Sequence, residues 1–230
     1  MAMLREKDKQ EVKKHLEEKM QEPVTVTLFT QAPSKIIVPG EQECPSCEET
    51  RGLLEEVAAL SDKITLRVRD FRENKDEAVA MGVQKIPAII MDGKKPGSVR
   101  YYGIPSGYEF AVLVGMLVDV SRGKTDLSEE SKQALATLKN EVHVQVLVTP
   151  TCPYCPAAGR LAHQAAMESE KVRADVIEVA EFPQLVQKYA VRGVPKVVFN
   201  EDTSMDGAAP EPLFVQQLVA VGGGELRSSS

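Results

Sequence analysis

The sequence predicts an α/β protein built from two tandem units that repeat one order of strands and helices. Three observations predict it. The chain has 230 residues, which fits two domains of about 100 to 150 residues. A Cys-Pro-x-Cys tetrapeptide begins at Cys44 and again at Cys152, and each first cysteine is followed 43 residues later by a proline, Pro87 or Pro195. The runs around the two prolines match in hydrophobicity almost position by position.

Each unit alternates short β-branched runs, which predict strands, with stretches whose apolar residues recur at helical spacing. Strands are predicted over 24–29, 64–68, 88–91 and 99–102, and helices over 4–20, after Cys44, 75–81 and 106–120. The second unit is predicted to have strands over 142–148, 172–179 and 196–200 with a short partner strand, and helices over 127–138, after Cys152, 182–189 and 211–221.

The polar stretch 121–126 indicates a connector between the repeats. We therefore place the first unit at residues 1–122 and the second at 123–230.

Composition narrows the functional classes. A net charge of −6, with 43% apolar and 27% charged residues, describes a globular protein that would repel phosphate backbones, so nucleic acid is not an expected partner. Residues 1–21 mix Lys and Glu without the apolar run of a signal peptide, and no apolar stretch predicts a membrane span. We expect a cytoplasmic location. The lack of Trp and the presence of only three Asn are compatible with adaptation to heat.

All four cysteines belong to the two tetrapeptides. At a helix start, unpaired backbone N–H groups and the helix dipole favour a thiolate, which is the species that attacks disulfides. We therefore assign Cys44 and Cys152 as nucleophiles, and Cys47 and Cys155 as the resolving thiols that collapse a mixed disulfide.

The two prolines follow β-branched residues and precede apolar strands, where a cis X-Pro bond could form a tight turn beside the sulfurs. The backbone of Ile86 and Val194 would then pair with a substrate polypeptide as an added strand. Ile86, Pro87, Val194 and Pro195 are the predicted substrate-binding residues.

Two acidic residues, Asp70 and Glu178, lie 26 residues after the first cysteine of their repeat. They are candidate proton relays for the resolving cysteines. The alternative is that both are solvated carboxylates at strand ends.

These motifs resemble known families. Cys152-Pro153-Tyr154-Cys155 is similar to glutaredoxin active sites, and the spacing to Val-Pro is similar to the thioredoxin superfamily. Two such units in one chain resemble the protein disulfide oxidoreductases, or glutaredoxin-like proteins, of hyperthermophiles. The sequence departs from thioredoxins proper in having Glu43 and Thr151, not Trp, before the first cysteines.

The resemblance implies two thioredoxin-like units, each with a central mixed β-sheet flanked by helices, cis prolines and redox-active disulfides. It implies an enzyme that reduces, forms and in some cases isomerises protein disulfides, with no bound cofactor. Recharging by a thioredoxin reductase-like flavoprotein using NADPH is also implied. We expect a monomer.

Other interpretations of the cysteines are less favoured. Zinc modules place their cysteine pairs roughly 15 to 20 residues apart, whereas here 104 residues lie between Cys47 and Cys152, so no metal site is expected. Permanent structural disulfides are a second alternative. A cysteine hydrolase would need a histidine base, and His15, His143 and His163 are interpreted as surface or packing residues.

Two other functional classes stay open. Similar tandem units form the N-terminal part of alkyl hydroperoxide reductase flavoproteins, where the resemblance implies that one unit alone keeps its cysteines; such a chain would be an electron relay. No flavin-binding fingerprint follows here, and we expect the chain to be complete as a redox protein. A chaperone-like binding module is the third class.

The two sites are expected to differ. Three residues separate the strand ending near Val148 from Cys152, but fourteen separate Phe29 from Cys44. The variable position of the tetrapeptide is Ser46 in the first site and Tyr154 in the second. We predict unequal reduction potentials, with the second site dominating disulfide reduction.

Overall fold

The computed structural model describes residues 3–32, 44–92 and 99–225. Its helices are α1 (Glu6–Lys19), α2 (Cys47–Ala58), α3 (Lys75–Ala80), α4 (Phe110–Arg122), α5 (Glu129–Ala136), α6 (Cys155–Glu168), α7 (Pro183–Lys188) and α8 (Glu211–Val221). Its strands are β1 (Val24–Thr30), β2 (Ile64–Asp70), β3 (Ala88–Asp92), β4 (Val99–Tyr102), β5 (Val142–Val148), β6 (Val172–Glu178), β7 (Lys196–Phe199) and β8 (Thr203–Asp206). Short 3₁₀ turns span Gly107–Glu109 and Val179–Glu181.

The strands form one sheet in the order β2-β1-β3-β4-β6-β5-β7-β8. The first half of the chain, α1 to α4, contributes the first four, with β1 parallel to β2 and antiparallel to β3. The second half, α5 to α8, repeats this arrangement in β6, β5, β7 and β8. The repeat predicted from the cysteines and prolines is therefore confirmed as a structural repeat.

The sheet is continuous because β4 pairs with β6 in parallel. The sequence predicts a sheet for each unit, and the structure joins the two edge to edge. Pairing removes two exposed edge strands, which otherwise present unsatisfied backbone groups. The predicted unit boundary after residue 122 stays a prediction; α4 ends there, and Gly123 follows with φ +60°.

Alternate residues of the central strands enter two different apolar clusters, as the period of a strand requires. In β1, Val24, Val26 and Leu28 belong to the larger cluster and Phe29 to the smaller one. The larger cluster buries α1, α2, α4, α5, α6 and α8, and the smaller buries α3 and α7. The core thus lies in two layers on the two faces of the sheet.

Most predicted elements are confirmed within two or three residues, with two differences. The helix predicted over 106–120 begins as a 3₁₀ turn and becomes α-helical at Phe110. The helices predicted to open with the tetrapeptides begin at their second cysteines, so Pro45 and Pro153 lie in the turns before the helices.

Where the halves join, Arg100 of β4 lies in register with Asp175 of β6. Arg100 Nε donates to Asp175 Oδ1 at 2.6 Å, and both side chains are almost fully buried. His143 Nε2 lies 2.7 Å from Asp175 Oδ2. Burial acts to raise the pKa of Asp175, but the His143 hydrogen bond and the Arg100 charge outweigh it, so the pKa lies below its usual value.

No helix in residues 3–32, 44–92 and 99–225 has the length and apolar character needed to cross a membrane.

Candidate active sites

Site 1 is the disulfide between Cys44 and Cys47, which closes the turn before α2 with Cα atoms 5.4 Å apart. Cys47 is buried as the first residue of α2, whereas Cys44 is partly exposed. Ser46 precedes the helix and accepts its first i to i−4 hydrogen bond, from Thr50 N at 2.8 Å. The predicted order is therefore present: an accessible first sulfur and a protected second one. Residues 33–43, which include the loop expected to distinguish this site, lie outside the described residues.

Site 2 is the disulfide between Cys152 and Cys155, with Cα atoms 5.5 Å apart at the start of α6. Cys155 is fully buried, and its backbone N–H points at Cys152 Sγ from 3.2 Å. An N–H donor at this position stabilises negative charge on that sulfur. Tyr154, between the cysteines, is 70% exposed and offers an aromatic surface beside the disulfide.

Both predicted cis bonds are present, Ile86–Pro87 and Val194–Pro195. Val194 O lies 3.6 Å from Cys152 Sγ, so the backbone before Pro195 lies directly beside the sulfur assigned as nucleophile. Substrate binding by these residues stays a prediction.

The two sites lie on the same side of the sheet, beyond the carboxyl ends of β1 and β5. Two antiparallel steps lead from β1 through β3 to β4, and the parallel pairs of β4 with β6 and β6 with β5 follow, so β1 and β5 run in the same direction. Each disulfide follows the carboxyl end of one of these strands. Four strand spacings separate β1 from β5, or roughly 19 Å in an untwisted sheet. Both sites can therefore face one side of the molecule.

The two predicted proton relays end their strands and hold the turns that follow. Asp70 Oδ1 accepts from Arg72 N and Glu73 N, at 2.9 and 3.2 Å. The Glu178 carboxylate accepts from Ala180 N and Glu181 N, at 3.2 and 3.0 Å. These bonds favour the strand-end interpretation, although Glu178 is buried and not solvated as that alternative supposes. Burial raises the pKa of Glu178 against those hydrogen bonds.

Sequence reasoning missed two carboxyl groups, one near each site. Glu109 is fully buried, and burial raises its pKa to about 7. It follows Tyr108, whose N–H donates to Pro150 O at 2.9 Å, so it lies on the turn that contacts the loop leading to Cys152. Glu181 accepts hydrogen bonds from Ser46 Oγ of site 1 and, at 2.7 Å, from Ile104 N.

The alternatives based on metal or a histidine base gain no support. The cysteines are paired within each tetrapeptide, and residues 3–32, 44–92 and 99–225 hold no group of three or more His, Cys, Asp or Glu side chains arranged for a metal ion. His163 is buried in α6 with Nε2 3.1 Å from Arg100 O, and burial lowers its pKa to about 4. It is a packing residue, as predicted.

A family model of the thioredoxin domain matches the chain twice, over residues 34–115 and 142–220. The two matches together cover more than half of the chain, and each contains one disulfide and one cis proline. The chain belongs to the thioredoxin-domain family. The predicted resemblance to the thioredoxin superfamily and the predicted fold class are thereby confirmed.

Solved structures resemble this thioredoxin-domain protein over nearly its whole length. A protein disulfide oxidoreductase from Aeropyrum pernix superimposes with a TM-score of 0.85 at 28% identity, covering 97% of this chain and 96% of that one. An alkylhydroperoxide reductase component of Enterococcus faecalis gives a TM-score of 0.83 at 21% identity, covering 94% of this chain and 99% of that one, a likeness of fold.

Two curated proteins are similar to parts of the thioredoxin-domain protein. A thioredoxin of Methanocaldococcus jannaschii is 32% identical over 34% of this chain and 94% of its own length. An alkyl hydroperoxide reductase component of Xanthomonas campestris pv. phaseoli is 28% identical over 75% of this chain, but the match spans only 30% of that relative.

Proposed function

We propose that this protein is a protein disulfide oxidoreductase, which exchanges its two Cys-x-x-Cys dithiols with the disulfides of other proteins. The observation that carries the proposal is the geometry of site 2. The buried Cys155 directs its N–H at Cys152 Sγ, and the backbone carbonyl before the cis proline Pro195 lies 3.6 Å from that sulfur. The similarity to the Aeropyrum pernix enzyme supports the same activity.

In the proposed reaction the reduced protein begins with a Cys152 thiolate. It attacks one sulfur of a substrate disulfide, forms a mixed disulfide and releases the other substrate sulfur as a thiolate. The Cys155 thiolate then attacks Cys152 Sγ, which re-forms the Cys152–Cys155 disulfide and releases the second substrate thiol. Two electrons pass to the substrate, and the structure corresponds to the oxidised product.

The substrate polypeptide binds along Val194 and Pro195 as an added strand. The same roles are proposed for Cys44, Cys47, Ile86 and Pro87 at site 1. Isomerisation of wrong disulfides, reduction of the protein by an NADPH-dependent flavoprotein, a cytoplasmic location and a monomeric state belong to the proposal on the strength of the family resemblance.

The test is to trap the mixed disulfide. The Cys47→Ser/Cys155→Ser protein, once reduced, keeps both attacking thiols and lacks both resolving ones. Mixed with insulin, it should form a disulfide-linked complex that dithiothreitol dissolves, visible on a non-reducing gel. The matched Cys44→Ser/Cys152→Ser protein keeps only Cys47 and Cys155, which are 1% and 0% exposed, whereas Cys152 is 8% exposed and Cys44 is partly exposed. It should trap at least tenfold less, because the sulfurs that remain are the less accessible ones. Equal trapping by both would contradict the assignment of roles.

A second candidate is an electron relay in a peroxide-reducing system. The match to the Xanthomonas campestris alkyl hydroperoxide reductase component over 75% of the chain favours it. A relay predicts a different trapping result: the complex would form with a peroxide-reducing partner protein and not with insulin. Two intact disulfides favour the broader activity.

A further inference from the structure

Site 1 is contacted by a side chain from the other half of the protein. Glu181 lies in the 3₁₀ turn after β6, and its carboxylate accepts hydrogen bonds from Ser46 Oγ and from Ile104 N. Ser46 is the variable residue of Cys44-Pro45-Ser46-Cys47, and it occupies the N-cap position of α2. A charged group of the second half thus touches the loop that holds the first disulfide.

The position of Glu181 is fixed from several sides. Glu178 accepts from the backbone N–H of Glu181 and so holds the turn that carries it. Gly103, with φ +94°, leaves the space that the carboxylate occupies, since a Cβ at that position would lie 2.8 Å from Glu181 Oε1. Because β4 and β6 are parallel neighbours, Gly103 and this turn meet beyond the carboxyl ends of the two strands.

Site 2 differs at the corresponding position. Tyr154 occupies the place of Ser46, and its ring is 70% exposed. Among residues 3–32, 44–92 and 99–225, no carboxylate is hydrogen-bonded to the tetrapeptide of site 2. Within these described residues, a carboxylate is therefore hydrogen-bonded to the variable residue at site 1 and not at site 2.

We propose that Glu181 is a positioning residue for site 1, which acts through Ser46 to make the Cys44–Cys47 disulfide harder to reduce. This inference rests on the proposed function. The hydrogen bond from Ser46 holds this carboxylate against the start of α2, where its charge opposes the negative charge that develops on Cys44 when the disulfide opens. The reduced form of site 1 is destabilised relative to its disulfide, so the reduction potential of site 1 is more negative than it would be without Glu181.

The contact also makes site 1 depend on the second half of the chain. Anything that moves the turn 179–181, such as a partner docking at the sheet edge between the sites, would change the reduction potential of site 1 without touching its cysteines. The two sites are in this sense coupled through the junction of the two halves.

The measurement is the reduction midpoint of site 1 in the Cys152→Ser/Cys155→Ser background, by equilibration with dithiothreitol and thiol labelling. Glu181→Gln keeps the size and a carbonyl acceptor but removes the charge. We expect it to favour the reduced form of Cys44/Cys47 about tenfold, a shift of about 30 mV to a less negative potential. The matched control is the midpoint of Cys152/Cys155 in the Cys44→Ser/Cys47→Ser background, which Glu181→Gln should leave unchanged.

Ser46→Ala tests the route of the effect. If Glu181 acts through Ser46, adding Glu181→Gln to Ser46→Ala should shift the midpoint by no more than about twofold in equilibrium constant. No shift of site 1 in Glu181→Gln, equal shifts at both sites, or an undiminished shift in the Ser46→Ala protein would each overturn the proposal. These midpoints need no substrate protein, so failure of the proposed function would show separately, as a lack of insulin trapping by a protein with normal midpoints.

Discussion

Single buried groups make the stability of this protein sensitive to pH in opposite directions. Burial raises the pKa of Glu109 to about 7, so its neutral form is the one the folded state accommodates. Burial lowers the pKa of His163 to about 4, so this residue is also held neutral. The protein thus disfavours ionised Glu109 at high pH and protonated His163 at low pH.

The contribution of Glu109 to the pH dependence of the unfolding free energy can be isolated with the Glu109→Gln variant. The folded pKa of about 7 lies above the ordinary value of 4.5, so the favourable contribution is complete below pH 4.5 and is lost as the pH rises through 7. The wild type should lose roughly 2 to 3 kcal/mol of unfolding free energy relative to the variant between pH 4.5 and 8. Urea unfolding at several pH values measures this difference, in which the His163 contribution cancels. Parallel pH profiles would show that Glu109 is not buried in the acid form.

At the level of residues, the sequence predicts which cysteines and prolines carry the thiol chemistry, but it does not predict the other groups that surround them. The cysteines are recognisable because each tetrapeptide is a short motif. The prolines are recognisable because their distance from that motif is the same in both halves. Glu109 is not recognisable, since an acidic residue near a predicted helix start is an ordinary feature that favours the helix dipole. Glu109 is buried in the 3₁₀ turn Gly107–Glu109, which contacts the loop before Cys152.

At the level of elements, the β4–β6 junction depends on a buried ion pair. Arg100 and Asp175 are cross-strand neighbours shielded from water, and Asp175 also pairs with His143. Removing one partner of a buried pair leaves the other charge without compensation, which is far more costly than breaking an exposed pair.

Asp175→Asn should therefore lower the unfolding free energy by about 3 to 5 kcal/mol. The matched control is Glu55→Gln, which breaks the exposed pair between Arg51 and Glu55 and should cost less than about 1 kcal/mol. Chemical denaturation of both variants at pH 7 gives the comparison. Similar small losses in the two proteins would mean that the junction does not depend on this pair.

The strands were predictable, but their pairing across the halves was not. The runs 99–102 and 142–148 are rich in β-branched or aromatic residues and match the observed strands. Nothing local in 99–102 shows that it pairs with 172–178, because that contact joins residues about 75 positions apart. The contact of Glu181 with Ser46 follows from the same pairing and was hidden for the same reason.

At the scale of the whole molecule, both disulfides lie beyond the carboxyl ends of strands in a single sheet. The repeat alone does not require this, since two units could be joined by a flexible connector with independent orientations. The parallel pairing of β4 and β6 sets the direction of β5 relative to β1. A single substrate surface can therefore span both sites.

The central claim is tested most directly by insulin reduction driven by dithiothreitol. Four proteins are compared: the wild type, Cys44→Ser/Cys47→Ser, Cys152→Ser/Cys155→Ser, and a control with alanine at all four cysteines. We predict that the wild type accelerates reduction, that loss of the second pair removes most of this activity, and that the control has none. A wild type no faster than dithiothreitol alone, or a cysteine-free control as active as the wild type, would contradict the assignment as a disulfide oxidoreductase.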